Sequence, residues 1–173
     1  MVRPVLISVS LAFLLAGCGR QGKQPELTAN MGESVRVGNL SYLVSEAGWM
    51  DQMGDGAAAK VPKNRFLTVR LSITNGGVRR AIIPATEVLD SAGNSYPEVP
   101  QAPGVDDWLG GFRALDPAST DHGLLIFDVP VGAYRLRVSD AADIEEQRTA
   151  YILLPYQTPV LIPRPDRAIP GSN

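Results

Sequence analysis

Along the body of the chain, apolar and polar residues alternate with the period of a β-strand. From Arg65 to Thr74, residues Leu67, Val69, Leu71 and Ile73 share one face while Thr68, Arg70, Ser72 and Thr74 share the other, as in a half-buried antiparallel strand. Asn75-Gly76-Gly77 then turns the chain. Further strands are predicted at Ser34–Val37 and Leu40–Glu46 around Gly38-Asn39, at Val78–Ile83, and at Glu87–Leu89 with Asn94–Tyr96 around Asp90-Ser91-Ala92-Gly93. Gly123–Val129 is an apolar run closed by Pro130, Tyr134, Leu136 and Val138 alternate with Arg135 and Arg137, and Ala150–Leu154 is the last strand. About seven to nine short strands separated by Gly, Pro, Asn and Asp, with no amphipathic helix beyond one turn at Asp143–Arg148, predict an all-β antiparallel sandwich over residues 33–154. In residues 155–173, Pro155, Pro159, Pro163, Pro165 and Pro170 remove backbone donors. That segment reads as an edge or an extended tail.

Two connections are long for a compact domain. Pro97–His122 contains Trp108 and Phe112 around Gly110-Gly111, and Ala47–Asn64 contains Trp49, Met50 and Met53. Connections beyond about 12–15 residues tend to be functional, disordered or held by their own apolar residues. Trp108, Phe112 and Trp49 are therefore candidate anchors for a protein partner. The competing reading is that they plug their loops onto the core.

The N-terminus follows a different pattern. A short basic start, Met1-Val2-Arg3, precedes an apolar run from Val5 to Leu15, too short to span a bilayer core that needs about 20 apolar residues. Residues 1–17 read as an export signal. Leu15-Ala16-Gly17-Cys18 resembles the lipobox of bacterial lipoproteins, which implies peptidase recognition at Leu15, Ala16 and Gly17 and diacylglycerol on the Cys18 sulfur. Each buried acyl methylene contributes about 0.8 kcal/mol, so several chains make a durable anchor. Polar residues 18–32 then read as a flexible tether. With Gly19, rather than Asp, after the cysteine, the resemblance implies the periplasmic face of the outer membrane if the source is Gram-negative.

Composition narrows the chemistry. Cys18 is the only cysteine and His122 the only histidine among 173 residues. No disulfide framework is possible, and lipidation would use the one thiol. A serine or cysteine nucleophile usually takes an imidazole base, and His122 beside Asp121 is adjacent in sequence without forming a triad. Catalytic zinc favours three protein ligands rich in His or Cys, so no metal or cofactor is expected. Met31, Met50, Met53 and His122 are soft ligands of the kind copper takes, which keeps copper handling as an alternative. Asp51, Asp55, Asp106, Asp107 and Asp116 lack calcium-loop spacing. A hydrolase using Asp106 or Asp107 is the remaining alternative. A formal net charge of −2, with Arg79-Arg80 the only adjacent basic pair, argues against nucleic acid as a partner.

Four segments carry a second resemblance: Gly38–Val44, Asn64–Asn75, Leu89–Tyr96 and Ile126–Pro130 follow the order of an uncharacterised immunoglobulin-like domain of unknown function common in secreted bacterial lipoproteins. That domain is similar in fold to the mycobacterial immunoprotective extracellular antigen. The likeness covers roughly Gly32–Asp140 and implies an immunoglobulin-like sandwich with no established catalytic residues. The family's Pro-Gly turn before its Phe-Asp-Val-Pro strand is replaced by Leu115-Asp116-Pro117-Ala118-Ser119. Together these readings lead us to expect a lipid-tethered, non-enzymatic binding or structural module of the cell envelope. Its partners would be the bilayer, through the Cys18 acyl chains, and an envelope protein.

Overall fold

The computed structural model describes residues 26–111, 113–140 and 147–156. Within them the chain forms β1 (Leu27–Asn30), β2 (Ser34–Val37), β3 (Leu40–Met50), β4 (Arg65–Asn75), β5 (Ala81–Ile83), β6 (Glu87–Leu89), β7 (Ser95–Pro97), β8 (Arg113–Leu115), β9 (Thr120–Val129), β10 (Tyr134–Ser139) and β11 (Thr149–Leu154). They build an immunoglobulin-like β-sandwich. One sheet has the order β1-β11-β10-β6-β7, the other β2-β3-β4-β9, and β5 with β8 forms a small separate ribbon.

The alternating residues of β4 do what their period dictates. Leu67, Val69, Leu71 and Ile73 are buried between the sheets, where they meet Leu125, Phe127 and Val129 of β9 and Leu136, Val138, Ile152 and Leu154 of the facing sheet. Tyr42 on β3 spans the two layers. Its hydroxyl donates to the Ser139 carbonyl at 2.6 Å, and burial, reinforced by the charge of Asp140, pushes its pKa well above the ordinary phenol value.

Three features depart from the pattern in the sequence. Leu27–Asn30 is a strand, paired parallel to β11, so the segment read as a tether up to residue 32 already belongs to the sandwich, and the sheets are not antiparallel throughout. The β3–β4 register shifts between Val44 and Glu46. This bulge places Ala47 and Trp49 on the same inner face as Leu40, Tyr42 and Val44, and β3 runs on to Met50. Third, β8 lies inside the connection read as loop up to His122, and β9 begins at Thr120.

Asn75 closes one end of the sandwich. Fully buried, it donates its side-chain amide to the carbonyls of Arg79 and Leu115 at 2.8 and 3.0 Å and accepts from the Gly77 N–H at 2.9 Å. The turn over Asp116–Ser119 is held here. Ala118 adopts φ 57°, the left-handed conformation a glycine would supply, while its N–H donates to the Asn75 carbonyl at 2.9 Å. Residues 1–25, Phe112, 141–146 and 157–173 lie outside the described residues. These include the export signal, the Leu15-Ala16-Gly17-Cys18 motif, most of the tether, most of the predicted turn at 143–148 and nearly all of the proline-rich C-terminal segment.

Candidate functional site

The two long connections meet each other on the outer face of the β2-β3-β4-β9 sheet. The first folds back on itself through paired hydrogen bonds between Met53 and Lys60, at 2.9 and 2.8 Å. It rejoins β4 where Asp128 accepts from the N–H groups of Lys63 and Asn64 at 2.6 and 2.8 Å. The second runs along the free edge of β9: Val99 N–H donates to the Ile126 carbonyl at 2.9 Å, Leu124 N–H to Asp107 at 2.7 Å, and Leu109 N–H to Leu124 at 3.1 Å. An open edge invites pairing with another chain, and this loop covers it.

The loops lock together at two glycines. Gly54 and Gly104 both have positive φ, and a Cβ on Gly104 would lie 2.7 Å from the Gly54 Cα, closer than any side chain permits. Beneath them, Met53, Phe66, Val99, Ala102 and Ile126 form a second buried cluster against which Met50, Val105 and Trp108 pack. Ile126 and Phe66 point away from the main core. This explains why β9 reads as a continuous apolar run: both of its faces are covered.

The predicted site residues separate accordingly. Trp108 packs on the second cluster, and its buried indole N–H has no hydrogen-bond partner. Trp49 does not share its loop, because it belongs to β3 and faces the sandwich interior, edge-on to the Tyr134 ring at 6.5 Å. Phe112, like Cys18, lies outside the described residues. Trp49 and Trp108 are thus on opposite faces of one sheet and form no common patch.

The candidate copper ligands are placed apart. Met31 packs against the main core while Met50 and Met53 pack on the second, and His122 is exposed on β9 opposite Ser72. These soft ligands do not converge, so the copper reading has no site among the described residues. No group of three or more His, Cys, Asp or Glu side chains gathers there either. Asp107 takes φ 59° and its carboxylate lies 3.6 Å from the Arg70 guanidinium, which also reaches Glu46 at 3.8 Å. Asp106 is exposed.

Two arrangements were not anticipated. Glu98 and Arg113 form a nearly buried ion pair, with side-chain exposures of 9 and 3 %. Glu98 also accepts from the Thr86 N–H at 2.8 Å and from the Thr86 hydroxyl. At the end of the sandwich closed by Asn75, a cleft of about 900 Å³ is lined by Asn39, Arg79, Arg80, Asp140 and Arg148, among others. The Arg79-Arg80 pair was its one visible trace in the sequence. Arg148 is remote in sequence and reaches the cleft because β11 starts where β10 ends.

At the opposite end, the β6–β7 turn is tied by Asp90. The side-chain amide of Asn94, followed by the Asn94 and Ala92 N–H groups, holds the Asp90 carboxyl below its ordinary range. Tyr96 and Tyr134 meet edge-on beside it at 5.9 Å, and burial, with smaller contributions from Tyr96 and Asp90, pushes the Tyr134 phenol up to about 12. These are structural contacts that tighten a hairpin and a strand start.

The architecture and the covered edge define an immunoglobulin-like sandwich that presents surfaces built from loops. The chain belongs to the family described as domain of unknown function DUF4352, whose model matches residues 29–148. No curated protein matches it. Among solved structures it is similar to the yjhA protein of Bacillus subtilis, at 16% identity and a TM-score of 0.59, covering 73% of this chain and 99% of that one. It also resembles the secreted protein MPT63 of Mycobacterium tuberculosis, at 14% identity and TM-score 0.50 over 74% and 95% of the two chains. A third, the candidate lipoprotein ycdA of Bacillus subtilis, gives 11% identity and TM-score 0.53 over 69% of this chain but only 38% of that one. At such identities the likeness establishes the fold.

Proposed function

We propose that this protein is a lipid-anchored, non-catalytic module of the bacterial cell envelope, which binds or braces another envelope protein through the interlocked loops over β4 and β9. The observation that carries the anchor is the juxtaposition of Leu15-Ala16-Gly17-Cys18 with the start of the folded domain: β1 begins at Leu27, a short polar step beyond the cysteine. Similarity to a candidate lipoprotein and to a secreted protein is in keeping with that address.

The binding role rests on how much structure is invested in the loops. They carry their own buried cluster, close contact at Gly54 and Gly104, and hydrogen bonds along β9. Rigid loops on a sandwich bind with little ordering cost. Val61, 72 % exposed on the first loop, is an apolar side chain held in water, and it contributes little to folding. Val61→Asp should leave the melting temperature unchanged while removing a specific adduct when intact cells are crosslinked and the adducts are identified by mass. An adduct pattern identical to that of the unmodified protein would exclude this face as the docking surface.

A further inference from the structure

The arginine-lined cleft lies at the end of the sandwich from which the N-terminal segment departs. β1 runs parallel to β11 with Leu27 opposite Ala150, so Glu26 is beside Thr149 and next to Arg148. The same end holds the β2–β3 turn, because a Cβ on Gly38 would meet Asp140 at 2.8 Å. It also holds the connection from β4 to β5, which carries Arg79 and Arg80. Among the described residues neither Arg79 nor Arg148 has an ion-pair partner, while Arg80 has only an exposed pair with Asp116 at 3.6 Å. Arg79-Arg80 is flanked by two apolar side chains turned to water, Val78 at 90 % and Ile82 at 59 % exposure.

Cationic side chains around a cleft, exposed aliphatic residues beside them, and the start of β1 lie at one end of the sandwich. We propose that this end docks on the bilayer: Arg79, Arg80 and Arg148 take the phosphates of anionic lipid headgroups, and Val78 and Ile82 enter the headgroup boundary. The proposal rests on the Cys18 anchor described above. From Cys18 to Glu26 the chain has eight steps, which can span at most about 29 Å, so an anchor at Cys18 keeps the cleft within that distance of the membrane surface. Three acids share this end among the described residues. Asp140 is buried and accepts the Arg148 N–H at 3.0 Å, Glu26 is taken by Arg135 at 3.1 Å, and Asp116 is the exposed partner of Arg80. Asp143, Glu145 and Glu146 lie between Asp140 and Arg148 in sequence, outside the described residues. Each basic side chain at an anionic surface strengthens attachment about fivefold. Docking would fix the sandwich upright, with the β6–β7 turn and Val131 at the far end.

The test uses the full lipidated chain in vesicles of phosphatidylcholine alone or mixed equally with phosphatidylglycerol. Lipidation of the sole native cysteine leaves Val78→Cys as the only free thiol for a fluorophore, whose quenching by nitroxide-bearing lipids reports depth. Quenching at position 78 is expected on the anionic vesicles only. It should be lost in the Arg79→Gln, Arg80→Gln, Arg148→Gln triple variant, with docking weakened on the order of a hundredfold, and absent when the label sits at Val131→Cys. Equal quenching on both vesicles, no effect of the triple variant, or quenching at position 131 would overturn the proposal. A chain that fails to sediment even with neutral vesicles and carries no acyl mass would overturn the anchor itself, and the docking with it.

Discussion

Glu98→Ala is expected to destabilise the sandwich by about 3–5 kcal/mol, the usual cost of leaving one member of a buried ion pair unmatched. Glu98 bridges β9 at Phe127, and Arg113 sits on β8 opposite Ile83, so the pair fastens the β5–β8 ribbon to the body of the fold. The guanidinium already has one buried N–H, at Nε, without an acceptor. Removing the carboxylate strands the remaining donors together with the Thr86 N–H and hydroxyl. Replacing both partners, as Glu98→Met with Arg113→Met, removes the stranded charge and should recover most of the loss, since an apolar pair of similar volume often matches a buried ion pair. Urea unfolding of the single and double variants measures both. A single variant within about 1 kcal/mol of the parent would show that the charge reaches water, against the burial described.

Gly123→Ala acts on the loop rather than on the core. Its Cβ would fall 2.3 Å from the Asp107 carbonyl oxygen and 2.9 Å from Leu109 Cγ, so the second long loop must lift away from β9. Overpacking of this kind costs about 1–3 kcal/mol. The more specific consequence is local: the hydrogen bonds of Leu109 and Leu124 N–H should open, and their amide exchange should accelerate far more than that of β4. Uncovering the β9 edge should also promote concentration-dependent self-association. Exchange at Leu109 and Leu124 unchanged from the parent would contradict the covering role assigned to the loop.

Local patterns in the sequence made much of this fold legible, and distant contacts made the rest illegible. β4 could be read because each of its buried residues obeys a period of two and its inner face meets one core. Trp49 could not, because the bulge at Ser45 reverses the alternation, so a residue that looks like loop is in fact strand and faces inward. β1 has four residues and is defined by a parallel neighbour more than a hundred positions away. Nothing in Leu27-Thr28-Ala29-Asn30 alone distinguishes it from tether.

The surface sites divide in the same way. Trp108 and Met53 stood out as unusual residues in long loops, yet what they touch depends on Gly54 meeting Gly104, a contact between segments fifty residues apart. The ion pair of Glu98 and Arg113 lay within a connection read as irregular, where opposite charges fifteen positions apart carry no signal of burial. For the arginine cleft the adjacent pair was visible and was weighed only against nucleic acid. Its third arginine, and the exit of the N-terminal segment beside it, required the β1–β11 and β10–β11 pairings.

Attachment of the module to the envelope by Cys18 can be read from the intact mass and N-terminal peptide of protein purified from membranes. The expected mature chain begins at Cys18 and carries acyl chains that disappear, with release into the soluble envelope fraction or failure of processing, in Cys18→Ala. A mature chain without acyl mass, or membrane retention and acyl labelling that persist in Cys18→Ala, would contradict it.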